Sequence, residues 1–178
     1  MYVGYLKNER ILKQFGNRLR SFREASELSQ EQVHYATGIG QSNISQMESG
    51  SLNTSLSQIA LLSEFFGLED HQLLDYNSAI PETDELRKSI SRFCKKRNID
   101  PTDVLKKSIT IIFERKLIPS KFLTSPRFTK EIAQHLLEKY DAEFSSTLIA
   151  RTLGIFSQRG LIERIATDKK SKFQYKKK

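Results

Sequence analysis

Through the first eighty residues the apolar positions recur at three- and four-residue spacing and are interrupted by glycines, a pattern that predicts several short helices. The clearest unit runs from Leu28 to Gly50. Ser29 is a good helix cap, and Gln32, three residues on, is able to bond back to the cap's amide, so a helix is predicted from Gln30. Val33 and Ala36 give it an apolar face. It is predicted to end near Gly38, where the missing side chain allows the left-handed backbone of a sharp turn. Ile39 packs the turn. A second helix is predicted from near Gln41, burying Ile44 and Met47 and stopping before Gly50.

The outer face of that second helix carries Gln41, Ser42, Ser45 and Gln46. A glutamine there can bond both N6 and N7 of adenine, and a serine can serve several base edges, so the set suits base reading in a major groove. A solvated polar face is the alternative reading of the same residues.

Further along, Asn77-Ser78-Ala79-Ile80-Pro81 reads as a turn that ends a first domain. Leu86, Ile90, Phe93 and Arg97 then fall at helical spacing, and Asp100-Pro101 launches a second helix with Val104, Leu105, Ile109, Ile112 and Phe113 on one face. Lys95-Lys96-Arg97 and Lys106-Lys107 are assigned to the outer faces, as solvated charge or as contacts to phosphate or an acidic partner; the apolar stripes could form a dimer interface. From residue 125, Thr129 is read as the cap of a helix with Ile132, Leu136, Leu137 and Tyr140 inward, and Ser145 or Ser146 as the cap of another with Ile149, Leu153 and Phe156 inward. Gly154 interrupts it and suggests a kink. Beyond Gly160, Leu161 to Ile165 and Phe173-Gln174-Tyr175 alternate as two strands around the polar turn 167–172, and Lys176-Lys177-Lys178 read as a mobile basic end.

Residues 15–76 resemble the helix-turn-helix repressors of the Cro/C1 type, the XRE family. The resemblance rests on Phe15-Gly16-Asn17-Arg18-Leu19-Arg20, Leu28-Ser29-Gln30-Glu31-Gln32-Val33, Ile44-Ser45-Gln46-Met47-Glu48-Ser49-Gly50, Asn53-Thr54-Ser55-Leu56, then Ile59, Leu62, Phe66-Gly67 and Leu73-Leu74. It implies five helices around a small core, with Gln41, Ser42 and Gln46 contacting bases and Gln30, Asn43 and Asn53 holding phosphates. Phosphate contacts set register and base contacts specify. The sequence departs from the family pattern at Gly40, where a Ser or Thr cap is usual, at Thr54, which replaces a frequent Pro, and at His34-Tyr35. The order helix, helix, hairpin in residues 125–178 resembles a winged helix, especially through Arg159-Gly160-Leu161-Ile162-Glu163-Arg164. That resemblance places Thr147 and Arg151 outward on its second helix and Lys169, Lys170 and Lys172 on the wing, as a second set of DNA contacts.

Composition adds bounds. The 178 residues are 38% hydrophobic and 28% charged, ordinary for a globular protein. No long apolar run and no leader is read from the sequence, so a cytoplasmic protein without membrane contact is expected. Cys94, on an apolar stripe, is read as core, and the scattered His34, His71 and His135 offer no zinc set. Self-cleaving phage repressors append a strand-rich peptidase with a Ser nucleophile and Lys base, but the segment that follows here reads as helices. No glycine-rich phosphate loop or acidic metal cluster stands out. No enzyme, no cofactor and no metal is expected.

The net charge of +8 is uneven: residues 1–80 hold six Lys and Arg against nine Asp and Glu, and the rest hold twenty-three against twelve. The domain with the base-reading pattern is thus the acidic one. Arg18, Arg20 and Arg23 on the first helix are its local exceptions, and Arg18 is assigned to phosphate.

The sequence therefore predicts a mainly α protein: a five-helix Cro/C1-type helix-turn-helix domain over 1–78, a two-helix connector over 79–124 that could dimerise, and a winged-helix-like domain over 125–178 with a small β-hairpin. The expected role is a transcriptional regulator, a repressor binding double-stranded DNA as a homodimer on an inverted repeat. The alternative is an antitoxin or adaptor that binds a protein partner through its basic C-terminal half and regulates its own operon.

Overall fold

A computed structural model describes residues 9–167 and 173–178. The chain is mainly helical with one small antiparallel sheet, and it divides into two compact units, one ending at Lys106 and the other beginning at Lys107.

The first unit contains α1 (Glu9–Ala25), α2 (Gln30–Thr37), α3 (Gln41–Ser49), α4 (Leu56–Phe66), α5 (Asp70–Leu74), α6 (Thr83–Lys96) and α7 (Pro101–Leu105). Two capping boxes start α2 and α4: Ser29 and Ser55 each accept from the amide three residues on, and Gln32 and Gln58 accept in return from the cap amides. One core joins all seven helices, from Phe15, Phe22 and Leu28 through Ile44, Met47 and Phe65 to Ile90, Phe93 and Val104. Phe65 meets Phe66 and Phe93 edge-on, at centroid distances of 4.9 Å and 5.3 Å. Gly16 allows α1 to lie on α3, since a β-carbon there would stand 2.3 Å from the Met47 carbonyl oxygen.

The chain thus divides after Lys106, not at residues 78 and 124. The apolar stripe of α6 was legible, but a stripe does not say what covers it, and Leu86, Ile90, Phe93 and Cys94 complete the first core. The Gln32 amide fixes α7 as well, donating at 2.7 Å to the carbonyls of both Val104 and Lys106. Arg87 adds bonds to the carbonyls of Ser26 and Leu105. These contacts end the helix predicted through Phe113: α7 stops at Leu105 and Lys106 is extended. Cys94 is buried, as read, and burial pushes its thiol up from its ordinary value.

The second unit contains α8 (Ile109–Ile112), a π-helical turn (Phe113–Leu117), a short 3-10 turn (Phe122–Thr124), β1 (Arg127–Phe128), α9 (Thr129–Tyr140), α10 (Ser146–Gln158), β2 (Ile162–Ala166) and β3 (Phe173–Lys177). The sheet order is β1-β3-β2, with Tyr175 opposite Arg127 on one side and Arg164 on the other. Its core gathers Ile112, Phe113, Leu136, Leu153, Phe156 and Ile162. The hairpin expected from the alternation is present, but β1 was not foreseen, because two residues are too short to alternate. Thr129 is the first residue of α9 and not its cap; Glu131 instead accepts from the Phe128 amide at 2.7 Å. Leu137, expected inward, is exposed, whereas Ser145 caps α10 as read. Lys176 and Lys177, read as a mobile end, lie in β3 opposite Glu163 and Ile162. Lys107 is not free for a ligand: its ammonium bonds the Tyr140 and Asp141 carbonyls and the Asp141 carboxylate at the end of α9, where the helix dipole favours a cation.

Candidate nucleic-acid interface

The turn between α2 and α3 is built by three residues. Gly38 takes φ +74° and closes α2, Thr37 Oγ1 accepts from the Ile39 amide at 3.3 Å, and the His34 ring donates Nδ1–H to the Ile39 carbonyl at 2.9 Å. Gly40 caps α3 without a side-chain bond. His34, one of the positions where the sequence departs from the family pattern, thus fixes the turn through the Ile39 carbonyl, while the α3 cap keeps no side-chain acceptor.

On α3, Ile44 and Met47 are fully buried, so the helix is fixed in rotation. Gln41, Ser42, Asn43, Ser45 and Gln46 are exposed, and none of these side chains makes a hydrogen bond with the described residues. The four expected base readers thus share one free polar face. Asn43 lies on the same helix and Asn53, also exposed and unbonded, lies in the connection to α4.

The other expected phosphate ligands are differently placed. Arg18 is buried: its guanidinium donates to the Ser78 carbonyl and hydroxyl, each at 2.5 Å, and to the Gln72 carbonyl at 3.3 Å, and rests on the Phe22 ring at 4.7 Å. It ties residues 72–78 to α1. Gln30 is half-buried and donates to Glu48 at 3.0 Å. Both side chains are thus engaged within the fold.

Glu48, which the sequence marked only as part of a motif, is the electrostatic centre of the domain. Its carboxylate, fully buried, accepts from Arg23 at 2.6 Å and 2.9 Å, from Gln30 at 3.0 Å and from Arg20 at 3.4 Å. Burial pushes this carboxyl up, but the bonds from Arg23, its charge, the Gln30 bond and the Arg20 charge together hold it below the usual carboxylate value. The signal that could have found it is Arg20 and Arg23 beside the apolar stripe of Leu19 and Phe22, where a half-buried cation needs an acid.

In the second unit, Thr147 and Arg151 are exposed on α10, as placed from the sequence. The same exposed side of the helix also carries Leu148 and Ile155, 39% and 42% exposed. Lys169, Lys170 and Lys172 lie outside the described residues. Among the described residues no helix is long and apolar enough to cross a membrane.

Residues 14–75 match the family model of a helix-turn-helix domain, which covers α1 from Gln14 onward and all of α2, α3, α4 and α5. No curated protein and no solved structure matches the chain. The chain therefore carries a helix-turn-helix domain over about a third of its length, and α6, α7 and the second unit lie outside the match.

Proposed function

We propose that the protein is a sequence-specific DNA-binding transcriptional regulator of the Cro/C1 type, a repressor that binds an inverted-repeat operator as a homodimer. The observation that carries this reading is the face of α3 on which Gln41, Ser42, Ser45 and Gln46 are exposed and make no side-chain bond with the described residues, while Ile44 and Met47 lock the helix into the core. In this reading Gln41 and Gln46 bond adenine edges, the serines take neighbouring bases, and Asn43 and Asn53 take phosphates. Gln30 joins them only by sharing its amide with Glu48, and Arg18 acts by holding α5 and the following turn in place.

The second unit fits a winged helix. A helical turn, a short strand, two helices and a hairpin in the sheet order β1-β3-β2 follow that topology, with α10 in the position of its recognition helix. Here Thr147 and Arg151 would supply a second DNA contact, joined by Lys169, Lys170 and Lys172, which lie outside the described residues. Leu148 and Ile155 beside Arg151 favour a second use of the same helix, the docking of a protein partner, as an antitoxin or adaptor requires.

Selection of bound duplexes from a randomised pool by the full-length protein tests the reading. Enrichment of one inverted-repeat site is the expected result. Absence of any enriched motif would overturn it and leave the partner-binding use of α10.

A further inference from the structure

The helix-turn-helix domain has few means of attracting DNA. Residues 14–75 contain three Lys and Arg against eight Asp and Glu. Arg18 is held inside the fold by Ser78 and Gln72 and Arg23 by Glu48, while the exposed Arg20 is drawn toward Glu48 at 3.4 Å. Neutralising phosphates supplies most sequence-independent affinity for DNA, and Arg20 alone leaves that role largely to cations outside the matched range.

The extension of α1 provides them at the right place. α1 begins at Glu9, before the match, and carries Arg10 and Lys13 one turn apart on one side of the helix. Both are exposed and form no ion pair with the described residues. Lys13 is set against the end of α3: a β-carbon on Gly50, the residue that closes α3, would stand 2.9 Å from the Lys13 Cα and 3.0 Å from its Cγ. One turn further on, Gly16 lies on the Met47 and Glu48 carbonyls. The crossing of α1 and α3 therefore sets Lys13, with Arg10 one turn before it, beside the end of α3 that Gly50 closes, both without an ion pair among the described residues.

We infer that Lys13 and Arg10 contact the DNA backbone beside the base-reading helix, giving the acidic domain its electrostatic hold on phosphate. The inference rests on the DNA-binding reading above. The other exposed basic row of this unit, Lys88, Arg92 and Lys95, lies on α6, whose Ser89 packs against Gly67 at the end of α4 and not against α3. It serves as a charge-matched control.

The experiment measures binding of the full-length protein to its selected site and to a scrambled duplex across a salt series. Arg10→Gln with Lys13→Gln should lower the slope of log affinity against log salt by about 2, weakening both duplexes alike and leaving the preference between them intact. Lys88→Gln with Lys95→Gln should leave the slope unchanged. Arg10→Lys with Lys13→Arg should keep the wild-type slope, which separates charge from any effect on folding. A wild-type slope in the first variant, or an equal loss in the α6 control, overturns the inference while the DNA-binding reading stands. A wild-type protein that binds neither duplex overturns both.

Discussion

Arg23 and Glu48, 25 residues apart in sequence, form an ion pair inside the fold, with Nε to Oε1 at 2.6 Å and Nη2 to Oε2 at 2.9 Å. The pair joins α1 to α3. The third Arg23 nitrogen donates to the Leu28 carbonyl at 2.9 Å, so the guanidinium also fixes the entry to α2. Such a pair gains little over an apolar one, but removing one partner strands the other charge.

Glu48→Ala should therefore cost about 3–5 kcal/mol in urea unfolding of the full chain. A loss below about 1 kcal/mol would show that Arg23 finds water or another acid. The pH dependence has a definite sign. Because Glu48 is held below its unfolded value near 4.5, the unfolded chain takes up the proton first. The stabilisation is complete above that value and drains away as pH falls through the lower folded one. Glu48→Gln should flatten this acid limb.

Gln32 holds the fold together across a much longer stretch of chain, 72 residues to Val104. Its Oε1 accepts from the Ser29 amide at 2.8 Å, and its Nε2 donates to two carbonyls of the α7 region. Gln32→Leu keeps the bulk but leaves the Val104 carbonyl unpaired in a buried position. The expected loss is about 1–3 kcal/mol, with faster amide exchange in α7. Unchanged exchange there would mean that the apolar contacts of Val104 alone hold α7.

These two residues mark where the sequence was and was not legible. The α2–turn–α3 unit could be read because its signals are local: Ser29 caps, Gly38 turns, and Ile44 and Met47 set the face within a few residues of one another. Gln32 was read correctly as a capping residue through its oxygen, yet its amide nitrogen reaches a partner more than seventy residues away, which no local pattern encodes. The same limit moved α6 and α7 into the first core. Arg18 was assigned to phosphate as one of the few cations of an acidic domain, whereas the carbonyls of Gln72 and Ser78 and the face of Phe22 draw it inward.

His135 gives the second unit an acid sensitivity of its own. Its ring stacks on Phe122 at 3.7 Å, meets Tyr140 edge-on at 5.7 Å, and has Nε2 buried without a hydrogen-bond partner among the described residues. Burial lowers its pKa from 6.5, the nearby Lys139 and Arg127 charges lower it further, and Glu138 partly opposes them. The unfolded chain therefore takes up this proton first as pH falls below 6.5, and folded stability drops through that window. Protection of the α9 amides, taken relative to the unfolded chain's own exchange rate at each pH, should fall on moving from neutral to mildly acidic pH. His135→Phe, which keeps a ring on Phe122, should remove most of that change; an equal change in the variant would assign it to another group.

The base-reading face makes the most specific prediction, because the same helix offers an internal contrast. Gln41 and Gln46 are exposed and make no side-chain bond with the described residues, so Gln41→Ala with Gln46→Ala should leave thermal unfolding unchanged. Each well-aligned glutamine–adenine pair discriminates by about 1–3 kcal/mol, so the double variant should lose about 30-fold or more in preference for the selected site over a scrambled duplex. Binding to the scrambled duplex should hold, since phosphate contacts persist. Ile44→Ala, on the opposite face and fully buried, should instead cost about 2–5 kcal/mol of stability and weaken both duplexes together. If the glutamine variant kept its site preference, α3 would not be the helix that reads sequence, and specificity would have to be sought on α10.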